Sequence, residues 1–252
     1  MRVATFNILN GRVPTDQHVS LSGLVESVRR LDADVLALQE VDRNQHRSDN
    51  LDLTALAAEA MGAPEHRFVA ALAGSPGATW IEATGEEQPD AAAYGIALLS
   101  RYPVHGWQVI RLASTPVPVP MWFRGRRRPV LVRDEPRVAV VATIETPHGM
   151  VTFVNTHLSF VTGWNGVQLR RVLSSLVDRS TPLVVLGDLN MGPQLATRVT
   201  GLRAAVCAPT FPVDVPTEQL DHILVGGPLR ASAGRSHRMP ISDHRALAVE
   251  LA

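Results

Sequence analysis

Two segments of the 252-residue chain repeat one pattern. In each, an apolar strand-length run ends in a polar residue, a helical pattern follows, and a second apolar run ends in an acid. The first segment runs from Val3-Ala4-Thr5-Phe6-Asn7-Ile8 through Leu21, Leu24, Val25, Val28 and Leu31, which recur at 3.6-residue spacing, to Val35–Leu38 and Gln39-Glu40-Val41-Asp42. The second runs from Val151–Thr156, closed by His157, through the helix face Leu169, Val172, Leu173, Leu176 and Val177, to Leu183–Leu186 and the loop Gly187-Asp188-Leu189-Asn190. Glu40 follows Asn7 by 33 residues and Asp188 follows His157 by 31. Two strand-helix-strand halves facing each other would bring both sets of strand ends into one cleft.

The remaining chain fits a layered α/β or α+β class. A second helix is expected over Leu53–Met61, stopped by Gly62 and Pro64. Residues 74–92, with glycines, prolines, Glu82, Glu86, Glu87 and Asp90, read as an exposed loop. Strands are expected at Tyr94–Ser100, Val104–Leu112, Leu220–Val225 and Arg245–Leu251, with a hairpin of Arg137–Glu145 and Met150–Asn155 around Pro147-His148-Gly149. One core over residues 1–252, a single domain, is the expectation at this length.

All 24 basic side chains are arginine, balanced by 24 acids to zero formal charge. Without lysine, Schiff-base enzymes, pyridoxal-phosphate enzymes and lysine-dependent phosphate loops are excluded. The single cysteine, Cys207, cannot form an internal disulfide and reads as a small buried hydrophobe. No run reaches the roughly 18 apolar residues of a membrane span, and the strand-like start leaves no room for a secretory signal. A cytoplasmic location is expected.

Strand-end loops are where a rigid scaffold presents reactive groups, and here they carry Asn7, Glu40, His157, Asp188, Asn190, Asp221, Asp243 and His244. Carboxylates and an amide oxygen form a hard-oxygen set suited to Mg²⁺, or Mn²⁺, while one cysteine rules out thiolate zinc sites. Two histidines among acids can supply donors to a phosphoryl group. Each of these residues alone could be a strand cap or a turn. His222 alternates away from Asp221 along its strand and is expected outside this set. His18, His46, His66, His105, His148 and His237 read as surface residues.

Seven stretches in order resemble the endonuclease/exonuclease/phosphatase superfamily. They are Ala4-Thr5-Phe6-Asn7-Ile8-Leu9-Asn10, Leu38-Gln39-Glu40-Val41-Asp42, Tyr94-Gly95-Ile96-Ala97-Leu98-Leu99-Ser100, Asn155-Thr156-His157-Leu158, Gly187-Asp188-Leu189-Asn190, Leu220-Asp221-His222-Ile223-Leu224-Val225 and Ser242-Asp243-His244. The resemblance implies a four-layer α/β sandwich, two packed mixed sheets with helices outside. It further implies a Mg²⁺-dependent phosphoesterase with Glu40 as principal metal ligand and Asn7 and Asp243 near the same ion. By the same resemblance Asp188 handles the attacking water, positioned with Asn190, while His244, oriented by Asp221, and His157 contact the scissile phosphate. Tyr94 would hydrogen-bond near His157, whose own acidic partner is not evident.

Substrate class is left to the segment Thr115–Arg137. Pro116, Pro118 and Pro120 precede Met121, Trp122 and Phe123, then Arg124, Arg126, Arg127 and Arg128. Trp122 with Arg124, Arg126 and Arg127 could meet an anionic lipid surface or a nucleic-acid backbone and base, or form a solvated hairpin whose aromatics fold into the core. Zero net charge and Thr210-Phe211-Pro212-Val213-Asp214, which lacks the tryptophan of nuclease relatives, weigh against DNA groove recognition. The expectation is a phosphodiesterase for a small or lipid-derived phosphoester, with an endo- or exonuclease as the alternative. Nothing bears on oligomeric state.

Overall fold

The computed structural model describes residues 1–15, 18–122, 128–177 and 180–252. Its first strand-helix-strand half is β1 (Arg2–Asn7), α1 (Leu21–Leu31) and β2 (Val35–Arg43), with β1 and β2 parallel and Asn7 opposite Gln39. The chain continues through α2 (Leu53–Met61), β3 (Glu65–Gly74), β4 (Trp80–Glu82), β5 (Ala93–Ser100) and β6 (Val104–Leu112). A hairpin of β7 (Val119–Met121) and β8 (Val130–Val132) stands apart as its own two-stranded sheet. Then come β9 (Arg137–Thr146) and the second half, β10 (Gly149–His157), α3 (Trp164–Ser174) and β11 (Leu183–Asp188), with β10 and β11 parallel. The last elements are α4 (Pro193–Thr200), β12 (Arg203–Ala204), β13 (Asp221–Gly226), β14 (Ala231–His237) and β15 (Ala246–Leu251).

Among the described residues the two large sheets have the orders β14-β15-β1-β2-β5-β3-β4 and β12-β13-β11-β10-β9-β6. Each contains one parallel pair inside an otherwise antiparallel ladder, so both are mixed, and the repeat seen in the sequence is the parallel pair at the centre of each. Side-chain alternation sorts every strand into an inner and an outer face. Inner residues such as Val3, Ala37, Val140, Phe153, Leu186 and Ile223 form the core between the sheets. Outer residues of the first sheet pack on Leu24, Val28 and Leu31 of α1 and Leu53 and Ala57 of α2. Those of the second pack on Leu169 and Val172 of α3 and Ala196 of α4. Four layers result, an α/β sandwich as expected. The helices start where the sequence caps them: Ser20 Oγ accepts from Gly23 N at 3.1 Å, and Asp52 accepts from the amides of Thr54 and Ala55.

Toward one end the inner layer turns polar. Gln39 Nε2 donates across the sheets to Asn155 Oδ1 at 2.8 Å, and Asn155 Nδ2 donates to the carbonyls of Leu38 (2.9 Å) and Ala97 (2.7 Å). Gln39 also exchanges hydrogen bonds with Thr5. These groups are fully buried, so the bridge fixes how one sheet sits on the other at the level where the functional strand ends begin.

Several expectations are corrected. The loop over 74–92 contains β4, and Ala83 within it is buried, because its amide pairs with Ala71 O and extends the edge of β3. The third helix ends at Ser174; Leu176 still packs inward, but Val177 is 86% exposed rather than on a helix face. Cys207 is exposed, since Val206 takes the inward position in that irregular segment. Of the three readings of the Arg-rich segment, the one that folds its aromatics into the core does not hold for Trp122, which is 69% exposed beyond β7. Phe123, Arg124, Arg126 and Arg127 lie outside the described residues. Among the described residues no helix is long and apolar enough to cross a membrane.

The cross-sheet bridge carries the first prediction. Asn155→Ala removes three buried hydrogen bonds, two to the carbonyls of Leu38 and Ala97 and one from Gln39 Nε2, which keeps its bond to Thr5, at about 1 kcal/mol each. Urea unfolding should show a loss of about 3 kcal/mol or more, against less than about 0.5 kcal/mol for the exposed control Val177→Ala.

Candidate active site

Strand register brings three of the candidate residues into one row. His157 at the end of β10 is the cross-strand neighbour of Asp188 at the end of β11, and Asp188 is the neighbour of Asp221 at the start of β13. All three share the parity of Phe153, Leu186 and Ile223 and therefore face the interior. His222 has the opposite parity. It is buried on the outer face with Nε2 2.8 Å from Met191 O, away from the cleft as expected.

Opposite this row, the first sheet presents Asn7 and Glu40. Asn7 Nδ2 donates to Glu40 Oε1 at 3.0 Å and to Asp188 Oδ2 at 3.1 Å, so one amide ties an acid of each sheet together. Glu40 reaches this position through a β-bulge. Gln39 pairs with Ile96 and Val41 with Gly95, leaving Glu40 unpaired at φ 55°. Regular alternation would send Glu40 outward toward the helices; the extra residue lets Val41 take that outer position and frees Glu40 to face the cleft. Backbones in the left-handed region recur at Asn10, Asn190 and Ser242, all around the same cleft. Gly187, before Asp188, has φ 132°, and a Cβ there would stand 1.9 Å from Thr156 O. Only glycine lets β11 approach β10 so closely.

The loop before β15 closes the site. Ser242 Oγ donates to Asn7 O at 2.6 Å and accepts from His244 N at 3.0 Å, fixing the loop to the end of β1. His244 Nδ1 lies 2.8 Å from Asp221 Oδ2, and its ring packs 4.9 Å from that of Phe211. Its Nε2 stands 3.8 Å from Asp188 Oδ2, and His157 Nε2 stands 3.6 Å from the same oxygen. Asn190 N donates to Asp188 Oδ1 (3.0 Å), Asn190 Nδ2 donates to Leu158 O, and Asn190 O accepts from Asn165.

The electrostatics follow from burial and charge. Burial, then the Asp221 charge, pushes Asp188 up to about 7. Burial alone would lower His244, but the charge and hydrogen bond of Asp221, followed by Asp188 and Asp243, raise it to about 10. Burial, with Arg137 and His244 nearby, holds His157 well below its usual value, so this imidazole is neutral. Burial raises Glu40, and the charge of Asp243 raises it further. Burial, then Glu40, likewise lifts the Tyr94 phenol.

Glu40, Asp243, Asp188 and Asp221 gather four carboxylates beside His244, an oxygen donor set that fits a hard divalent cation. Two seats compete. The ligand atoms of Asp188, Asp221 and His244 lie within 4.8 Å of one another. The His244–Asp221 hydrogen bond takes Nδ1 and Asp221 Oδ2 but leaves Asp221 Oδ1 unpartnered among the described residues, and the second candidate pair is Glu40 with Asp243. Asn7 turns Nδ2 rather than Oδ1 toward the acids, while Oδ1 accepts from Leu9 N.

The reading of the sequence missed two cations beside these acids. Arg137 opens the apolar strand β9; it is buried with Nε unpartnered among the described residues and shares a small hollow with His157 and Tyr94. Arg47 forks onto buried Asp42 with two 2.7 Å bonds and lies 5.8 Å from the Tyr94 ring. A charged residue at the core-facing start of an apolar run was the available signal for Arg137.

A family model described as Endonuclease/Exonuclease/phosphatase family matches residues 4–244. No curated protein sequence matches the chain. Similar solved structures include an endonuclease/exonuclease/phosphatase from Beutenbergia cavernae, 21% identical over all of this chain and 71% of that one, with a TM-score of 0.71. The human Nocturnin catalytic domain with bound sulfate is 21% identical, covering 100% of this chain and 93% of that one, at TM-score 0.66. A mannosyl-6-phosphatase from Bacteroides thetaiotaomicron is 15% identical, covering 100% and 99%, at TM-score 0.60.

The shifted groups set a pH prediction. Asp188 is raised from 3.8 to about 7, so the folded state favours its protonated form and loses stability as pH rises from about 4 to 7. His244, raised to about 10, contributes stability that is full below its unfolded value of 6.5 and is lost toward pH 10. His157, His222 and His237, held low by burial, cost stability only below about pH 6.5, so above that range EDTA-treated protein should melt at a lower temperature at pH 8.5 than at pH 7. Mg²⁺ or Mn²⁺ at 100 times its Kd should restore about 2.7 kcal/mol at the higher pH and less at the lower. An equal gain at both would contradict a cation seated among these acids.

Proposed function

The chain belongs to the endonuclease/exonuclease/phosphatase family, whose members hydrolyse phosphoesters, and from that premise we propose that it is a Mg²⁺-dependent phosphodiesterase, Mn²⁺ being the substitute ion, for a small or lipid-derived phosphoester. One observation carries the reading: a single carboxylate, Asp188, accepts from the Asn7 amide and stands 3.6 and 3.8 Å from Nε2 of His157 and of His244.

While Asn7 donates Nδ2 to Glu40 Oε1 and so positions that carboxylate, Glu40 with Asp243 would hold the ion. Bound there, it would stabilise negative charge developing on a phosphoryl oxygen. The protein's own groups supply the rest. Asp188, held near neutral pKa and fixed by Asn190 N and Asn7, accepts the proton of the attacking water. His244 is kept protonated by Asp221 on Nδ1, which leaves Nε2 as a donor toward a phosphoryl oxygen. His157, neutral, offers a second ring nitrogen on the opposite flank, with Arg137 and Tyr94 at its back. Asn190 braces Asp188 rather than reaching past it. Nothing in this sequence of proton and charge transfers requires a covalent intermediate on the chain.

The zero net charge supports a small ester over a long nucleic acid. Exposed Trp122 is retained in the proposal as a substrate-binding residue for an anionic headgroup or surface, together with Arg124, Arg126 and Arg127, which follow it in sequence and lie outside the described residues.

Hydrolysis of bis-p-nitrophenyl phosphate should require Mg²⁺ or Mn²⁺ and stop in EDTA. Asp188→Asn should lower kcat by about 10³ with little change in KM, in the range of a lost general base. A panel of phospholipids, inositol phosphates, nucleotides and oligonucleotides then assigns the class. Turnover of oligonucleotides alone would replace the proposal with a nuclease, and metal-independent turnover would end it.

A further inference from the structure

Away from the cleft, the open edges of the two sheets leave a groove of about 620 Å³. Its walls are the outer end of β2, the unpaired stretch of β3, β6 and the loop over 84–89. Arg43, Arg67 and Arg111 line it, and among the described residues none of the three belongs to an ion pair. Arg43 lies three residues beyond Glu40, which places the groove's near end roughly 10 Å along the strand from the acid cleft.

The guanidiniums are held by their faces. Arg43 sits 4.7 Å over the Phe68 ring and Arg67 5.9 Å over the Trp107 ring. Face-on stacking leaves the in-plane N–H groups free to fork onto anion oxygens. Arg43 Nε is buried and meets no acceptor among the described residues. A buried, unpaired charged donor is costly, and an anion in the groove would satisfy it. Arg111 is braced by one weak bond to Ala70 O at 3.4 Å.

The wall is built to leave those charges open. Glu87, the acid in the lining, spends its carboxylate on the amides of Thr84 and Gly85 and on the Thr84 hydroxyl. Burial alone would raise its pKa, yet these bonds lower it, so it stays a loop brace. Gly85, at φ 92°, makes room for Arg111: a Cβ there would stand 2.7 Å from Nη2. Asn44 Nδ2 pins the far end of the loop through Pro89 O and Ala91 O.

We propose that this groove is an anion site, separate from the Asp188 cleft, for a ligand carrying two or more phosphate groups. The phosphates could be the distal groups of an extended substrate or those of a free polyphosphate. Only the first source rests on the phosphodiesterase reading.

Calorimetric titration of EDTA-treated protein with inorganic pyrophosphate, at fixed ionic strength, tests the site without turnover. Binding should weaken at least tenfold in Arg43→Gln/Arg111→Gln and persist in His244→Asn, with urea midpoints confirming that both variants fold. Equal binding by wild type and the double variant, no binding by wild type, or loss in His244→Asn instead would overturn the proposal. Hydrolysis of bis-p-nitrophenyl phosphate should be unchanged in the double variant. A KM for glycerophosphoinositol bisphosphate, a lipid-derived diester with distal phosphates, raised about fivefold in that variant identifies distal substrate phosphates as the ligand, and an unchanged KM or no turnover of that diester identifies a free polyphosphate.

Discussion

The arrangement depends on polar contacts made across the interior between two sheets that are otherwise joined by apolar packing. Gln39–Asn155 sets the depth and register of one sheet on the other, and Asn7–Asp188 repeats the contact one inner position nearer the surface. Each uses an amide, a group that both donates and accepts and that is expensive to strand in a dry layer. Because the partners come from different sheets, neither sheet can slide without breaking them. The cleft inherits its geometry from that constraint.

Charge is then concentrated where geometry is most fixed. Glu40 stands on a bulge at positive φ, Asp188 follows a glycine that no other residue could replace, and His244 hangs from Ser242, itself at positive φ. Strained backbone and buried acids both cost stability, and they coincide at one end of the sandwich. The site lifts Asp188 to about 7 and His244 to about 10, and the proposed reaction gives these neighbours opposite roles, one taking a proton and one donating hydrogen bonds to negative oxygen.

Much of this was legible in residues. The paired strand-helix-strand pattern announced both parallel pairs and the meeting of Asn7, Glu40, His157 and Asp188, and alternation separated Asp221 from His222. What escaped was decided by tertiary structure. The Glu40 bulge has no local signature, because it depends on which residues of β5 face β2. The alanine-rich run inside β3 suits a helix or a strand equally, and β14 is a polar edge strand whose period is masked by exposure. Arg47 and Arg137 were not singled out, because the partner of each charge is set by the fold: Asp42 for Arg47, and the hollow shared with His157 and Tyr94 for Arg137. Cys207 was expected to be buried and is exposed, since Val206 takes the inward position.

The central claim is that the cation seat and the proton-handling groups are different residues: Glu40 with Asp243 for the first, Asp188 and the Asp221–His244 pair for the second. Anomalous diffraction from crystals soaked in Mn²⁺ tests this directly. The account predicts a manganese peak bonded to Glu40 with the His244–Asp221 hydrogen bond intact. A peak bonded to Asp221 and His244, with that hydrogen bond broken, would contradict it.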